Sequence, residues 1–181
     1  SKGHAAPALY AALAEAGYFP VEELATLRRI GSRLEGHPIL GKLPGVEAST
    51  GSLGQGLSIG VGHALAGKLD SLPYHVFVMT GDGEVDEGQV WEAALSASKY
   101  RLDNLTCIVD HNGYQQTGST RDVMPLSPLP DKWRAFGWHT LEVDGHDLAA
   151  VLSTLAAARA FPGQPVAIIA YTRKGKGVSF V

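Results

Sequence analysis

The sequence predicts an α/β domain with a mostly parallel sheet and helices on both faces. Three observations carry that reading. Short apolar runs at His75–Met79, Leu105–Val109 and Pro165–Thr172 read as buried strands, and longer stretches of helical period separate them. Between the first two runs, Val90, Trp91, Ala94, Leu95 and Ala97 recur at helical spacing. The unit from Thr80 to Asn112 is therefore strand, turn, helix, strand, which returns the chain to the same edge of a parallel sheet. Finally, many of the 22 glycines fall between these elements, where backbone must approach something closely.

Each element has a local reason. Ser1-Lys2-Gly3-His4 leads into a helix with Pro7 in its first turn, Ala8, Leu9, Ala12, Leu13 and Ala16 on one face, and Gly17 as terminator. A short helix follows over Val21–Arg29. Residues 31–52 hold recurring Gly and Pro without a period and read as a long loop, a length that is usually functional or mobile. Leu53–Leu69 reads as a helix although Gly54, Gly56, Gly60 and Gly62 interrupt it. Each interior glycine costs about 1 kcal/mol against alanine, so close packing or ligand approach must offset it. The preceding Ser49-Thr50-Gly51-Ser52 suits a polar or anionic ligand at that helix start. Beyond the central unit come a polar loop over Gly113–Pro130, a short helix at Asp131–Phe136, and an alternating strand from Trp138 to Val143. Asp147 is placed to cap a helix with an apolar face of Leu148, Val151, Leu152 and Leu155.

Composition narrows the function classes. With 181 residues, 45% hydrophobic and 18% charged, the chain reads as one globular domain able to bury a substantial core. No stretch is long or apolar enough for a membrane span. A formal net charge of −3 gives no reason to expect nucleic acid or an anionic membrane as partner. The single cysteine, Cys107, falls in a strand, where it reads as a small buried hydrophobe; it excludes an intrachain disulfide and fits a reducing, cytoplasmic compartment. The chain opens at Ser1 on residues that already approach a helix, which reads as part of something longer.

The chemistry concentrates at Gly81-Asp82-Gly83. A carboxylate at a strand end repels a phosphate unless a divalent cation lies between them. Mg²⁺ takes about six oxygens, commonly one or two carboxylates plus substrate phosphates. Asp82 offers an anionic oxygen, Asn112 a neutral one and the Tyr114 carbonyl a third. Gly83 lets its N–H approach a phosphate. An isolated Gly-Asp-Gly is more often a tight turn, and a dinucleotide fingerprint fits less well, because Gly81, Gly83 and Gly88 give the wrong spacing. The interval favours the metal: after Gly83, the 27 residues 84–110 hold one helix and one strand before His111-Asn112.

That interval resembles the thiamine diphosphate motif, with His111-Asn112 where the motif has Asn-Asn. The resemblance extends to transketolase through S-K-G-H-A at 1–5, G-H-P at 36–38 and P-G-V-E-A-S-T-G-S-L-G-Q-G at 44–56. It continues through G-D-G-E-V-D-E-G-Q-V-W-E-A-A at 81–94, L-D-N-L at 102–105, D-K-W-R-A-F-G-W-H at 131–139, V-D-G-H-D at 143–147 and K-G-K-G-V-S-F at 174–180. These segments follow family order over nearly the whole chain and resemble the diphosphate-binding domain.

The resemblance implies the thiamine diphosphate-binding fold, with thiamine diphosphate and Mg²⁺ or Ca²⁺ as cofactors. It implies Asp82, Asn112 and the Tyr114 carbonyl as metal ligands, and His4 and Gly83 at the diphosphate. Gly51, Ser52 and Leu53 would line the cofactor channel, His37 would face the substrate, and Glu87 would lie near a partner glutamate. It further implies ketol transfer, in which a two-carbon glycolaldehyde unit passes from a ketose phosphate to an aldose phosphate. A pyrimidine-domain subunit or missing C-terminal part would complete the site in a homodimer or heterotetramer, and without it the chain would be inactive. The family's Ser-Gly-His-Pro segment and its later histidine are not among these residues. Other thiamine diphosphate enzyme subunits (deoxyxylulose phosphate synthase-like, oxo-acid dehydrogenase α-like) and a non-catalytic scaffold are the alternatives. Taken singly, His4, His37 and Glu87 have blander readings as a capping histidine, an exposed loop histidine and a first-turn helix charge. Trp91 and Trp138 read as core packing, Arg173, Lys174 and Lys176 as a solvated basic turn.

Overall fold

A computed structural model describes residues 1–116 and 118–179. Its elements are α1 (Ala6–Glu15), α2 (Gln55–Leu69), β1 (Val76–Gly81), α3 (Gly88–Lys99), β2 (Leu105–His111), β3 (Tyr114–Gln115) and β4 (Gly118–Ser119). They continue with α4 (Thr120–Val123), α5 (Leu129–Ala135), β5 (His139–Asp144), α6 (Leu148–Ala160) and β6 (Val166–Tyr171). The main sheet has the order β1-β2-β6-β5 with every neighbour parallel, and β3 and β4 form a small antiparallel pair. The expected fold class is therefore the observed one.

One face of the sheet is covered by α2, α3 and α5. Leu57, Val90, Ala94, Leu129 and Trp133 pack there against Val78, Cys107, Val109 and Ile169. The other face carries α6, whose Val151, Leu155 and Ala158 meet Ile108, Val143, Val166 and Ile168. A third cluster joins α1 to the segment after it through Tyr10, Leu13, Phe19, Leu34 and Leu43. Trp91 and Trp138 are packing residues, as expected, and their indole N–H groups donate to the Val85 and Ala94 carbonyls. Cys107 is fully buried, and burial pushes its thiol up to about 12.

Several local expectations change. The buried stripe of α1 is Ala6, Tyr10, Leu13 and Ala14, while Leu9 faces out. On α3 Leu95 is exposed, and on α6 Leu148 and Leu152 are 76% and 68% exposed. A period fixes which residues share a stripe, but the neighbouring elements decide how much of the stripe is covered. The helix expected over Val21–Arg29 is a 3₁₀ turn over Val21–Thr26. The loop after Gly113 contains β3, β4 and α4, and α5 starts at Leu129, earlier than the sequence suggested. Both central strands run further than expected: β1 takes in Gly81 and β2 takes in Asp110 and His111. Asp110 thus lies inside the sheet, opposite Gly81 and Ala170. Phe180, the last residue of the 174–180 segment, lies outside the described residues.

The topology decides where a ligand can sit. The crossover from β1 to β2 runs through α3 on one face, and that from β5 to β6 runs through α6 on the other. Strand order therefore reverses between β2 and β6. Crevices beyond the carboxyl ends of the strands at such a reversal are the usual ligand sites of α/β sheets.

Candidate functional site

The carboxyl ends of β1 and β2 are adjacent because Gly81 pairs with Asp110. Asp82 follows directly and is 2% exposed. Its Oδ1 accepts from the Gly83 N–H at 2.9 Å and its Oδ2 from the Gly113 N–H at 2.7 Å, with His111 Nδ1 3.2 Å from the same oxygen. These partners compensate the burial of the carboxylate. Oδ1 keeps acceptor capacity beyond the one bond it takes, whereas Oδ2 already faces two groups. Asn112 turns its side-chain oxygen back to the Tyr114 N–H at 2.9 Å, which fixes the loop that carries the Tyr114 carbonyl.

A cavity of about 1080 Å³ opens over this turn, and Asp82, Gly83, Asn112, Tyr114, His4, Leu53 and Glu87 all line it. Most of the residues named from the sequence thus meet at one cavity. His37 and Gly51 lie one layer away. The His37 ring meets the His4 ring edge-on at 4.8 Å between centroids. A Cβ on Gly51 would sit 2.6 Å from the His37 ring. Ser52 is exposed, and its hydroxyl accepts from the Gln55 amide at 3.2 Å instead of facing the cavity.

The donor set is all oxygen, from a carboxylate, an amide and a backbone carbonyl, which suits a hard cation such as Mg²⁺ or Ca²⁺. Among the described residues there is no group of three or more His, Cys, Asp and Glu side chains that could hold a metal by themselves. A metal here would need ligand oxygens to complete its shell. Gly83 has a second constraint: a Cβ there would lie 2.5 Å from Gln115 Cβ, so the glycine also makes room for that side chain. Gln115 Oε1 is buried beside this turn and has no hydrogen-bond partner among the described residues, an acceptor at the cavity wall. Asp86 lines the same cavity, and burial, followed by Asp82 and Glu87, pushes its carboxyl up against the opposing pull of Gln115 and Lys132.

Sequence reading missed a polar bridge across the strand ends. Lys2 pairs with Asp110 Oδ2, and the Thr172 hydroxyl donates to Asp110 Oδ1. The Lys2 N–H also donates to the Met79 carbonyl at 2.9 Å, fastening the S-K-G-H segment to β1. It also missed Glu84, a buried carboxylate two residues after Asp82. No local pattern in the sequence identifies the partners of Asp110.

Residues 1–180 match the model of the transketolase thiamine diphosphate binding domain. The chain belongs to the transketolase family. It is 51% identical over 180 residues to a 6-deoxy-6-sulfo-D-fructose transketolase subunit of Clostridium sp. strain MSTE9, covering 99% of this chain and 66% of that protein. It is 47% identical to an apulose-4-phosphate transketolase subunit of Actinobacillus succinogenes, covering 100% of this chain and 65% of the relative. Mouse transketolase is 48% identical over 99% of this chain, which there amounts to 28% of the relative. Among solved structures, a transketolase mutant from Pichia stipitis superposes with a TM-score of 0.90 at 34% identity, over 95% of this chain and 27% of that one. Campylobacter jejuni transketolase gives 0.89 at 31% identity, over 98% and 29%. The chain thus spans just under two thirds of the subunit relatives and under a third of the whole transketolases. Among the described residues no helix is long and apolar enough to cross a membrane.

Proposed function

We propose that this chain is the diphosphate- and metal-holding half of a transketolase site. In this reading Asp82, Asn112 and the Tyr114 carbonyl hold Mg²⁺ or Ca²⁺, and His4 and Gly83 meet the diphosphate. The Gly51–Leu53 backbone borders the rest of the cofactor, with the Ser52 side chain turned outward, His37 stands toward the substrate beside His4, and Glu87 stands toward a partner. When bound, thiamine diphosphate supplies the electron sink needed to break a carbon–carbon bond next to a carbonyl. The chain's own part is to bind the cofactor, fix its charge and orient it. Asp82 brings the negative charge that recruits a cation; the cation offsets the diphosphate, which the acidic turn would otherwise repel.

One observation carries the reading: a buried carboxylate at the end of β1 and an amide just past the end of β2 line one cavity at the strand-order reversal. The relatives named as transketolase subunits support a pyrimidine-domain partner, in a second subunit or in further sequence, with a homodimer or heterotetramer as the assembly. By the same analogy the activity is transfer of a two-carbon ketol unit from a ketose phosphate to an aldose phosphate. The relatives' names, which include a sulfonated and a phosphorylated sugar, support an anionic ketose as donor. The lone buried Cys107 supports a cytoplasmic setting.

The test is calorimetric titration with thiamine diphosphate and Mg²⁺, with and without a pyrimidine-domain partner. Binding that Asp82→Ala weakens by at least a hundredfold is expected. The absence of heat in both settings, or unchanged binding in Asp82→Ala, overturns the reading. Donor–acceptor assays with ketose and aldose phosphates then check the activity of the completed assembly, and turnover by this chain alone would contradict the half-site.

A further inference from the structure

Glu84 is a buried carboxylate with no part in the reading above. It is 3% exposed and lies in a 3₁₀ turn over Gly83–Asp86. Such burial is strongly disfavoured unless donors surround the charge. They do: Oε2 accepts from the Gly81 N–H at 3.1 Å, and Oε1 accepts from the Gly54 N–H at 3.0 Å and from the Ser1 hydroxyl. Asp82 and Glu84 therefore divide the work. Asp82 ties the end of β1 to the loop after β2 through Gly113, whereas Glu84 ties the end of β1 to the start of α2.

The residue it holds on α2 is specific. Gly54 caps the helix with φ 81° and directly follows Gly51-Ser52-Leu53, the segment read as bordering the cofactor. A positive φ there excludes most side chains and leaves the N–H free to point at Glu84. Glu87 closes on Gly54 as well, since a Cβ on that glycine would lie 2.8 Å from Glu87 Cβ. Two acidic residues of one turn thus grip a single glycine, one by charge and one by contact.

We propose that Glu84 is a positioning residue: it fixes the Gly51–Leu53 segment relative to the Asp82–Gly83 turn and so sets the opening into which the cofactor fits. This rests on the cofactor reading above. A hydrogen bond to a charged acceptor is worth roughly a factor of ten or more in an equilibrium, so loss of the grip should cost that much affinity.

The experiment compares wild type, Glu84→Ala, Glu84→Gln, Asp82→Ala and Gly60→Ala in the complete gene product that carries these residues. Amide hydrogen exchange is read at Gly54 and Gly81 without cofactor, and thiamine diphosphate affinity is read by calorimetry at saturating Mg²⁺. In Glu84→Ala, both amides should exchange at least about tenfold faster and affinity should fall about tenfold or more. Glu84→Gln, which keeps one accepting oxygen, should recover part of both, and it carries the test should the alanine variant fail to fold. Asp82→Ala should leave Gly54 exchange unchanged. Unaltered Gly54 exchange, or affinity within twofold of wild type in both Glu84 variants, overturns the proposal. An equal loss in Gly60→Ala, which perturbs α2 elsewhere, would assign the effect to general destabilisation and overturn it too. A wild type that binds no cofactor sinks the cofactor reading, and with it the purpose given to Glu84, while the exchange data still report whether the tie exists.

Discussion

At the residue scale, Asp82 and Gly83 illustrate how one position can answer two demands. Asp82 is charged and buried, and it is satisfied by Gly83, Gly113 and His111 before any cation arrives. Removing it leaves the Gly83 and Gly113 N–H groups without the acceptor they now share. Asp82→Ala should therefore destabilise the protein by about 1–3 kcal/mol in urea unfolding, in addition to removing the proposed metal ligand. Gly83 is required by packing whether or not a phosphate approaches it. In Gly83→Ala the new Cβ would lie 2.5 Å from Gln115 Cβ, an atom at the base of its side chain that cannot swing aside. A loss of about 1–3 kcal/mol is expected, measured by chemical denaturation. A Gly83→Ala protein of wild-type stability would show that β3 yields freely and that Gln115 is not seated as described.

At the scale of the element, α2 shows why glycines recur in a helix. Gly60 lies against β1, and a Cβ there would meet Val78 Cγ2 at 2.4 Å. Gly62 points into open space, with nothing among the described residues within 4 Å of its would-be Cβ. The two substitutions should therefore have opposite signs. Gly62→Ala gains helix propensity and should stabilise by about 0.5–1 kcal/mol, whereas Gly60→Ala should lose more to the clash than it gains. Urea midpoints of the two variants decide it, and equal signs would contradict the packing of α2 on β1. At α6, Asp147 Oδ1 accepts from the Ala150 N–H at 3.0 Å, the cap expected from the sequence. Asp147→Ala should cost about 1 kcal/mol by the same measurement.

At the scale of the whole molecule, the two ends of the sheet carry different chemistry. The carboxyl ends hold the cavity. The amino ends hold His75, whose ring is 4.6 Å from the Phe77 ring and whose Nε2 is 2.8 Å from the Thr106 hydroxyl. Burial, with Arg159 adding to it against the pull of Asp103, pushes the His75 pKa below its ordinary value. The unfolded chain then takes up this proton first as pH falls. The associated stability is complete above an ordinary histidine pKa of about 6.5 and is lost as pH drops through it toward the lower folded value. Wild type should lose more stability than His75→Gln between pH 8 and pH 5 in urea titrations. Parallel slopes would mean that His75 stays protonatable in the fold.

How much of this was legible follows from the range of each interaction. The Gly-Asp-Gly turn, the helix after it and the polar pair closing the next strand form one local unit, so spacing alone brought Asp82 and Asn112 to one sheet edge. Strand and helix order were legible for the same reason, because period and turn residues are local signals. Helix faces were only half legible: Leu95, Leu148 and Leu152 keep the right period yet stay exposed. The bridge from Lys2 through Asp110 to Thr172 was not legible, since its members are 108 and 62 positions apart. Glu84 was equally hidden, because its partner Gly54 lies 30 positions away at the start of α2.

By itself, then, the sequence determined the α/β class, the turn proposed to hold a metal and a diphosphate, the residue types that turn presents, and the family. The tertiary structure decided the rest: the β1-β2-β6-β5 order, the reversal that opens the cavity, and the exposure of Ser52 away from it. It also decided which donors each carboxylate meets: Gly83, Gly113 and His111 at Asp82, and Gly81, Gly54 and Ser1 at Glu84. The reason is that backbone preferences and periodicity act over a few residues, whereas a buried charge takes its role from whatever donors the packed sheet brings to it.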